Sequence, residues 1–302
     1  MISNSLTEIS KDLERTKKAI VAIGCSFVQG AELEISCPVG TDACQYKNSR
    51  TFINVLCNSL NNQYTPINLG QEGAGNFAAV SRLFLYNIPW SSLDEIIVIF
   101  MPTGMQRFDI IRDDNYSKLG YDFKTVYPFA NFQSGQFEYF KKLSAGYEKT
   151  CYSEKFEVLN CIQNFQFLNS WIKNNNAKLI VFPAFSNEYN KENFTKVMKT
   201  SVFRNLSETI SKEKSNKVPD YDYQFLIDQV PWDNFITIEG SQNFFDLSFR
   251  NDKMYDPKLS MYDVMSKNIL VNNNWIMPRG HPSVKGHRLL ASKLNSFIKD
   301  SR

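Results

Sequence analysis

Short apolar runs punctuate the chain at residues 19–23, 66–69, 96–100, 179–182 and 235–238. Each is about the length of a strand, and unbroken apolarity fits a strand buried on both faces. Between several of them the period becomes that of a helix. Phe52, Val55, Leu56 and Leu60 share a face, as do Val80, Leu83, Phe84 and Asn87. Phe156, Leu159, Ile162, Phe165, Leu168 and Ile172 sustain a longer stripe, and Leu290, Leu294, Phe297 and Ile298 make the last one. Near the start, Ser5 and Glu8 have the spacing of a capping box ahead of a face formed by Leu6, Ile9 and Leu13. Strands alternating with helices predict an α/β fold with a parallel sheet covered on both sides.

Residues 105–150 and 186–234 break this rhythm. The first is rich in Asp, Tyr, Phe and Gly, and the second is polar and partly helical around "SKEKSNKVPDYDY". Both follow strand ends, where the loops of open α/β sheets build binding sites. They read as insertions that shape a substrate groove or partner surface, or else as surface decoration. No internal repeat or low-complexity linker divides residues 1–302, which reads as a single domain.

Composition narrows the function. The 302 residues are 43% hydrophobic, enough for a sizeable core. Net charge is +3, from 34 Lys and Arg against 31 Asp and Glu, so nothing global favours nucleic acid or an anionic membrane. Aromatic content is 14%, with 24 Phe and 14 Tyr, mostly for the core with some left to line a groove. Cys25, Cys37, Cys44, Cys57, Cys151 and Cys161 form no CxxC, and with 2 histidines no Cys/His zinc spacing arises. Cys37 and Cys44 could pair if oxidised; free thiols in a reducing compartment are the expected state. Lys17 and Lys18 precede an apolar run too short for the ~7–15 residues of a signal core. No run approaches the ~18 apolar residues of a membrane span. The expected location is the cytoplasm or a virion.

The chemistry begins at "VAIGCSFVQG", residues 21–30. A serine directly after a strand can cap the next helix by accepting an orphan N–H. It can also be a nucleophile exposed on the turn, in the positive potential of a helix start. Taken alone, the stretch fits the cap. Far along the chain, "PRGHPSVKGHRLLASKL" places His281 and Pro282 just before an amphipathic helix. A serine nucleophile needs a base, and His281 supplies one. His287 falls on the packed face of that helix and reads as structural. In "INLGQEGAGN", residues 67–76, a strand enters a loop with Gly70, Gly73 and Gly75, and a helix follows from near Asn76. Such glycines let backbone N–H groups approach an oxyanion; a tight strand-to-helix connection is the plainer reading. Their order is not that of a dinucleotide fingerprint, and the acidic residue expected after the next strand is missing.

In order, spacing and strand context, "GCSF", "NLGQEGAGN" and "GHPSVKGH" together resemble the SGNH/GDSL hydrolase family, over residues 19–298 with the two insertions outside it. Ser26 stands at the family's nucleophile, Gly73 at its oxyanion glycine and His281 at its base. The resemblance implies a flavodoxin-like three-layer α/β/α sandwich. It also implies ester hydrolysis through an acyl-enzyme on Ser26, with no metal or organic cofactor. The implied substrate is a small acyl ester, possible forms including an O-acetylated carbohydrate, with neither nucleic acid nor membrane as partner.

Three positions depart from the family pattern. Cys25 replaces the Asp before the serine; its thiol is a rival nucleophile, but its side chain is expected to point away from that of Ser26. After the strand "IIVIF" comes "MPTGMQRF", which lacks the family's oxyanion Asn. Thr103 offers a hydroxyl there and Gly104 an N–H, and Thr103 with Arg107 resembles a variant of this block in phage-type members. Pro278, followed by Arg279, occupies the place of the acid that orients the catalytic histidine. A backbone carbonyl or another acid must then hold His281, with Asp246, Asp256 and Asp263 as upstream choices. The expected activity is that of a serine esterase using Ser26 and His281, with the oxyanion held by the Ser26 and Gly73 N–H groups and Thr103. The alternatives are a catalytically weak or inactive module that binds glycan or protein, and an acyltransferase using the same serine and histidine.

Overall fold

The computed structural model describes residues 6–111, 123–126, 142, 145–146, 153–185, 187–199, 223–250 and 281–300. Its strands are β1 (Lys18–Gly24), β2 (Thr65–Asn68), β3 (Glu95–Met101), β4 (Phe108–Ile111), β5 (Phe123–Val126) and β6 (Lys178–Val181). Its helices are α1 (Leu6–Thr16), α2 (Ser26–Gln29), α3 (Ala43–Arg50), α4 (Phe52–Ser59), α5 (Asn76–Leu85), α6 (Glu154–Asn174), α7 (Lys191–Lys199), α8 (Tyr223–Ile227), α9 (Phe244–Arg250) and α10 (Val284–Asp300). β2, β1, β3 and β6 lie side by side in that order, all parallel. β4 and β5 form a separate antiparallel pair.

The apolar runs become central strands because both of their faces are covered. Along β1 and β3, Ile20, Ala22, Ile97 and Ile99 point to one side, where Phe52 and Leu56 of α4 and Leu290 and Leu294 of α10 pack. Ala19, Val21, Ile23, Ile96, Val98 and Phe100 point to the other, against α1, α5 and α6. This alternation is the period of two of a strand, with each set buried under helices. At the amino ends of the strands, Glu95 takes hydrogen bonds from Lys18 at 3.2 Å, Lys178 at 3.4 Å and Tyr64 at 2.8 Å. The polar pins sit there, leaving the carboxyl ends to the loops.

Two expectations change. Residues 235–238 form no strand: Phe235 makes one parallel bridge to Val181, and Ile238 pairs locally with Ser241. A 3-10 turn over Trp232–Asn234 precedes the run, and Glu239 at φ 51° with Gly240 at φ 75° turns the chain after it. The Asn234 side chain, rather than main chain, donates to the Leu179 carbonyl. In α5, Val80 and Leu83 are buried, but Phe84 is 55% exposed and Asn87 lies beyond the helix. Arg82 takes the inner position, donating to the Leu69 carbonyl at 2.9 Å. Phe156 and Phe297 are likewise largely outside the stripes they seemed to extend. The described parts of 186–234 send some side chains into the core: Tyr189, Phe194, Met198, Ile227 and Val230 pack in the cluster that holds Phe165 of α6. Ser5 lies outside the described residues. Among the described residues, no helix is long and apolar enough to cross a membrane.

Candidate active site

β1 delivers the chain to Gly24 and Cys25 at its carboxyl end, and α2 starts at Ser26. The Ser26 hydroxyl makes no cap. Its Oγ lies 2.9 Å from Nε2 of His281, just ahead of α10. The other ring nitrogen, Nδ1, lies 2.7 Å from Oε2 of Glu32. A carboxylate only accepts, so the bond to Glu32 puts the proton on Nδ1. That leaves the Nε2 lone pair to accept the Ser26 O–H. The edge of the Phe27 ring packs against the imidazole, with centroids 5.4 Å apart. Ser26 is 7% exposed and Glu32 4%, so both ends of the chain are buried, while His281 between them is half-buried.

Glu32 is the residue that sequence reasoning missed. α2 is only one turn long, and it ends at Gly30 in the left-handed region, φ 74°. Ala31 N–H then returns to the Ser26 carbonyl at 2.9 Å. Glu32 follows, itself left-handed at φ 68°. Such a backbone is disfavoured for a residue with a Cβ, by about 1–3 kcal/mol, and marks functional sites when the surroundings enforce it. Here it swings the carboxylate behind the ring of the base. The available signal was a single acid between Ala31 and Leu33, just past a helix-ending glycine. Of the acids expected instead, Asp246 lies in α9, where its N–H bonds the Asn243 side chain. Asp256, Asp263, Pro278 and Arg279 lie outside the described residues.

The sequence matches no model of a known protein family and no curated protein.

The loop after β2 continues along the end of β1: Leu69 N–H bonds the Ala22 carbonyl and Gln71 N–H the Gly24 carbonyl. Gly73, at φ 75°, sits in the turn that closes when Ala74 N–H bonds the Gln71 carbonyl. Thr103 follows β3 and is buried. Its N–H donates to Asn76 Oδ1 at 2.9 Å, while its carbonyl accepts the Tyr189 hydroxyl. The Asn76 amide in turn donates to the Tyr189 oxygen at 2.8 Å. Both polar groups of the Thr103 main chain are therefore committed, and the hydroxyl is what it can offer a substrate. That Oγ1 is buried and has no partner among the described residues. The Gly104 carbonyl accepts Arg107 N–H, and the Arg107 guanidinium reaches back to the Ala74 carbonyl at 3.0 Å.

The competing groups are occupied elsewhere. Cys25 is fully buried within the core cluster. Burial pushes the Cys57 thiol up to about 12 and Cys161 higher, so neither is a ready nucleophile. His287 is buried, and its Nδ1 accepts the Phe52 N–H at the start of α4 at 3.0 Å. Burial, with a smaller contribution from His281, drives its pKa down to about 3, so it is neutral across the physiological range. Among the described residues, Cys37 and Cys44 carry free thiols, and no group of three or more His, Cys, Asp or Glu side chains is placed to hold a metal ion. Cys151 lies outside the described residues.

Proposed function

We propose that this chain is a serine esterase of the SGNH/GDSL type, and the observation that carries the reading is the hydrogen-bonded sequence Ser26, His281, Glu32. In this mechanism Ser26 Oγ attacks the ester carbonyl as His281 Nε2 takes its proton. The imidazolium so formed is stabilised by Glu32, which also holds the productive tautomer. The tetrahedral oxyanion is met by the N–H of Ser26, an orphan donor of the first turn of α2, and by the N–H of Gly73. The Thr103 hydroxyl is the third donor. Collapse returns the proton from His281 to the leaving alcohol, and water attacks the acyl-enzyme by the same route in reverse order.

Other features agree with this reading. Strand order β2-β1-β3-β6 is compatible with the first four strands of a flavodoxin-like sheet, and Ser26 lies beyond the carboxyl end of β1, where such sheets bind ligands. The case for a silent binding module rested on two altered positions, the absent oxyanion Asn near Thr103 and the absent acid at Pro278, and Glu32 offers the acid from another segment. The substrate is a small acyl ester, with an O-acetylated carbohydrate as the leading type. A transferase would use the same groups and differ in the acceptor of the acyl unit.

The test is hydrolysis of p-nitrophenyl acetate by the purified protein, together with labelling by a fluorophosphonate probe. Both are expected in the wild type and lost in Ser26→Ala. Hydrolysis undiminished in that variant sinks the assignment.

A further inference from the structure

The loop that carries Gly73 is bonded to one short segment of chain. Arg107 donates from Nη1 to the Ala74 carbonyl at 3.0 Å. Asp109, in β4, accepts the Gly75 N–H at 2.9 Å on Oδ1 and the Ala78 N–H at 2.8 Å on Oδ2. The Ala74 carbonyl and the Gly75 N–H belong to the same peptide group. One plane, one residue beyond Gly73, is thus held at both ends, its oxygen by a cation and its N–H by an anion. Charge-assisted bonds of this kind are roughly twice as strong as neutral ones.

Asp109 also does what the local sequence of α5 cannot. The helix is capped by Gly75, which has no side chain to accept an orphan N–H. The carboxylate replaces that cap from another element and places negative charge at the positive end of the helix. Space allows this because residue 75 is glycine: a Cβ there would lie 2.5 Å from Asp109 Oδ2. The Arg107 guanidinium meanwhile lies over the Phe185 ring at 5.1 Å, Phe185 packs on Phe27 at 5.4 Å, and Phe27 on His281 at 5.4 Å. The oxyanion side and the base therefore share one packed scaffold.

We infer that Arg107 and Asp109 are positioning residues that aim the Gly73 N–H by clamping the Ala74–Gly75 peptide, an inference that rests on the esterase reading for its catalytic consequence. Neither side chain is asked to touch the substrate. Were that peptide free to rotate, the Gly73 turn, which closes through the Ala74 N–H just before it, would lose its anchor, and an error of an ångström at an oxyanion donor is enough to matter.

The test uses Arg107→Ala, Asp109→Asn and Gly75→Ala, with Gly75→Ala displacing the Asp109 carboxylate without removing it. Amide hydrogen exchange is expected to accelerate by roughly tenfold or more at residues 71–78 in each variant while the β1 and β3 amides stay protected. In the folded variants kcat for p-nitrophenyl acetate is expected to fall on the order of tenfold to a hundredfold, with KM little changed. Affinity for a boronic acid that forms a tetrahedral adduct on Ser26 should weaken by a similar factor. The pH profile of kcat/KM, set by Ser26, His281 and Glu32, should stay in place, and free guanidinium should restore part of the rate to Arg107→Ala but not to Asp109→Asn. Unchanged exchange at 71–78 overturns the clamp whether or not the protein is an esterase. Wild-type protein without hydrolysis or labelling refutes the esterase reading instead. Loosened exchange with full kcat in an active enzyme overturns the positioning role.

Discussion

At the scale of single residues, Glu32 decides most. Its carboxylate is buried, bonded to Nδ1 of His281 at 2.7 Å, and carried on a backbone conformation that a side chain disfavours. Glu32→Gln keeps the shape but offers an amide whose N–H can bond the wrong tautomer of His281. The expected result is a fall in kcat on the order of 10²–10⁴, as for loss of the acid in other serine triads, with the protein still folded. Steady-state kinetics beside circular dichroism check this. A variant that turns over like the wild type removes Glu32 from the mechanism. The two histidines stood out in the sequence because they are few, and Ser26 because it directly follows a buried apolar run. Glu32 did not, because one glutamate among 31 acidic residues carries no mark of its own. What singles it out is a dihedral angle and a neighbour distant in sequence.

At the scale of elements, the site is a set of strand ends and tight turns. β1 and β3 were legible because continuous apolar runs have few other uses, and Lys18–Gly24 and Glu95–Met101 extend the expected segments by a residue at each end. The run at 235–238 looked the same but lacks partners along its length, since turns cut in from both sides. Stripes on α5, α6 and α10 were read a little too wide, because period alone does not say which residue sits at the edge of a buried face. Most consequential is the single turn of α2, which joins Ser26 to Glu32. Its terminal Gly30 is left-handed, and an added Cβ would lie 2.7 Å from Leu33 Cδ1 and 2.8 Å from Thr51 Cγ2. Gly30→Ala therefore combines backbone strain with overpacking and is expected to cost about 1–3 kcal/mol of stability. It should also lower kcat, because the displaced turn carries Glu32. Urea unfolding and hydrolysis rates measure the two effects; an unperturbed rate in the folded variant would show that the turn does not set the acid's place.

At the scale of the whole molecule, His287 ties the last helix to the body of the protein. It belongs to α10, accepts the first N–H of α4, and packs its ring on Phe52 and on Phe244 of α9. Burial holds its pKa down at about 3, whereas the unfolded chain returns it to its ordinary value. The folded state thus binds fewer protons between those two values. The stabilisation is complete above about pH 6.5 and is lost as pH falls below it, on the order of 1 kcal/mol per pH unit for this one group. Urea midpoints should drop between about pH 7 and about pH 4, and the drop should be shallower in His287→Gln. Equal slopes in the two proteins would show that another group sets the acid limb.

Apolar period and local turn chemistry determined the parallel α/β core and the places where a nucleophile and a base could stand, because these are properties of neighbours along the chain. Which groups meet is a property of the fold. His281 is 255 residues from Ser26 and 249 from Glu32, and no local pattern encodes a contact across such a distance. The tertiary structure set the Ser26 hydroxyl against the His281 ring rather than against a helix N–H. It put Glu32 where Pro278 had left a gap, and gave Arg107 and Asp109 a single peptide to hold. Hydrophobic burial is non-directional and readable one residue at a time, whereas hydrogen bonds between buried polar groups exist only after packing has brought their partners together.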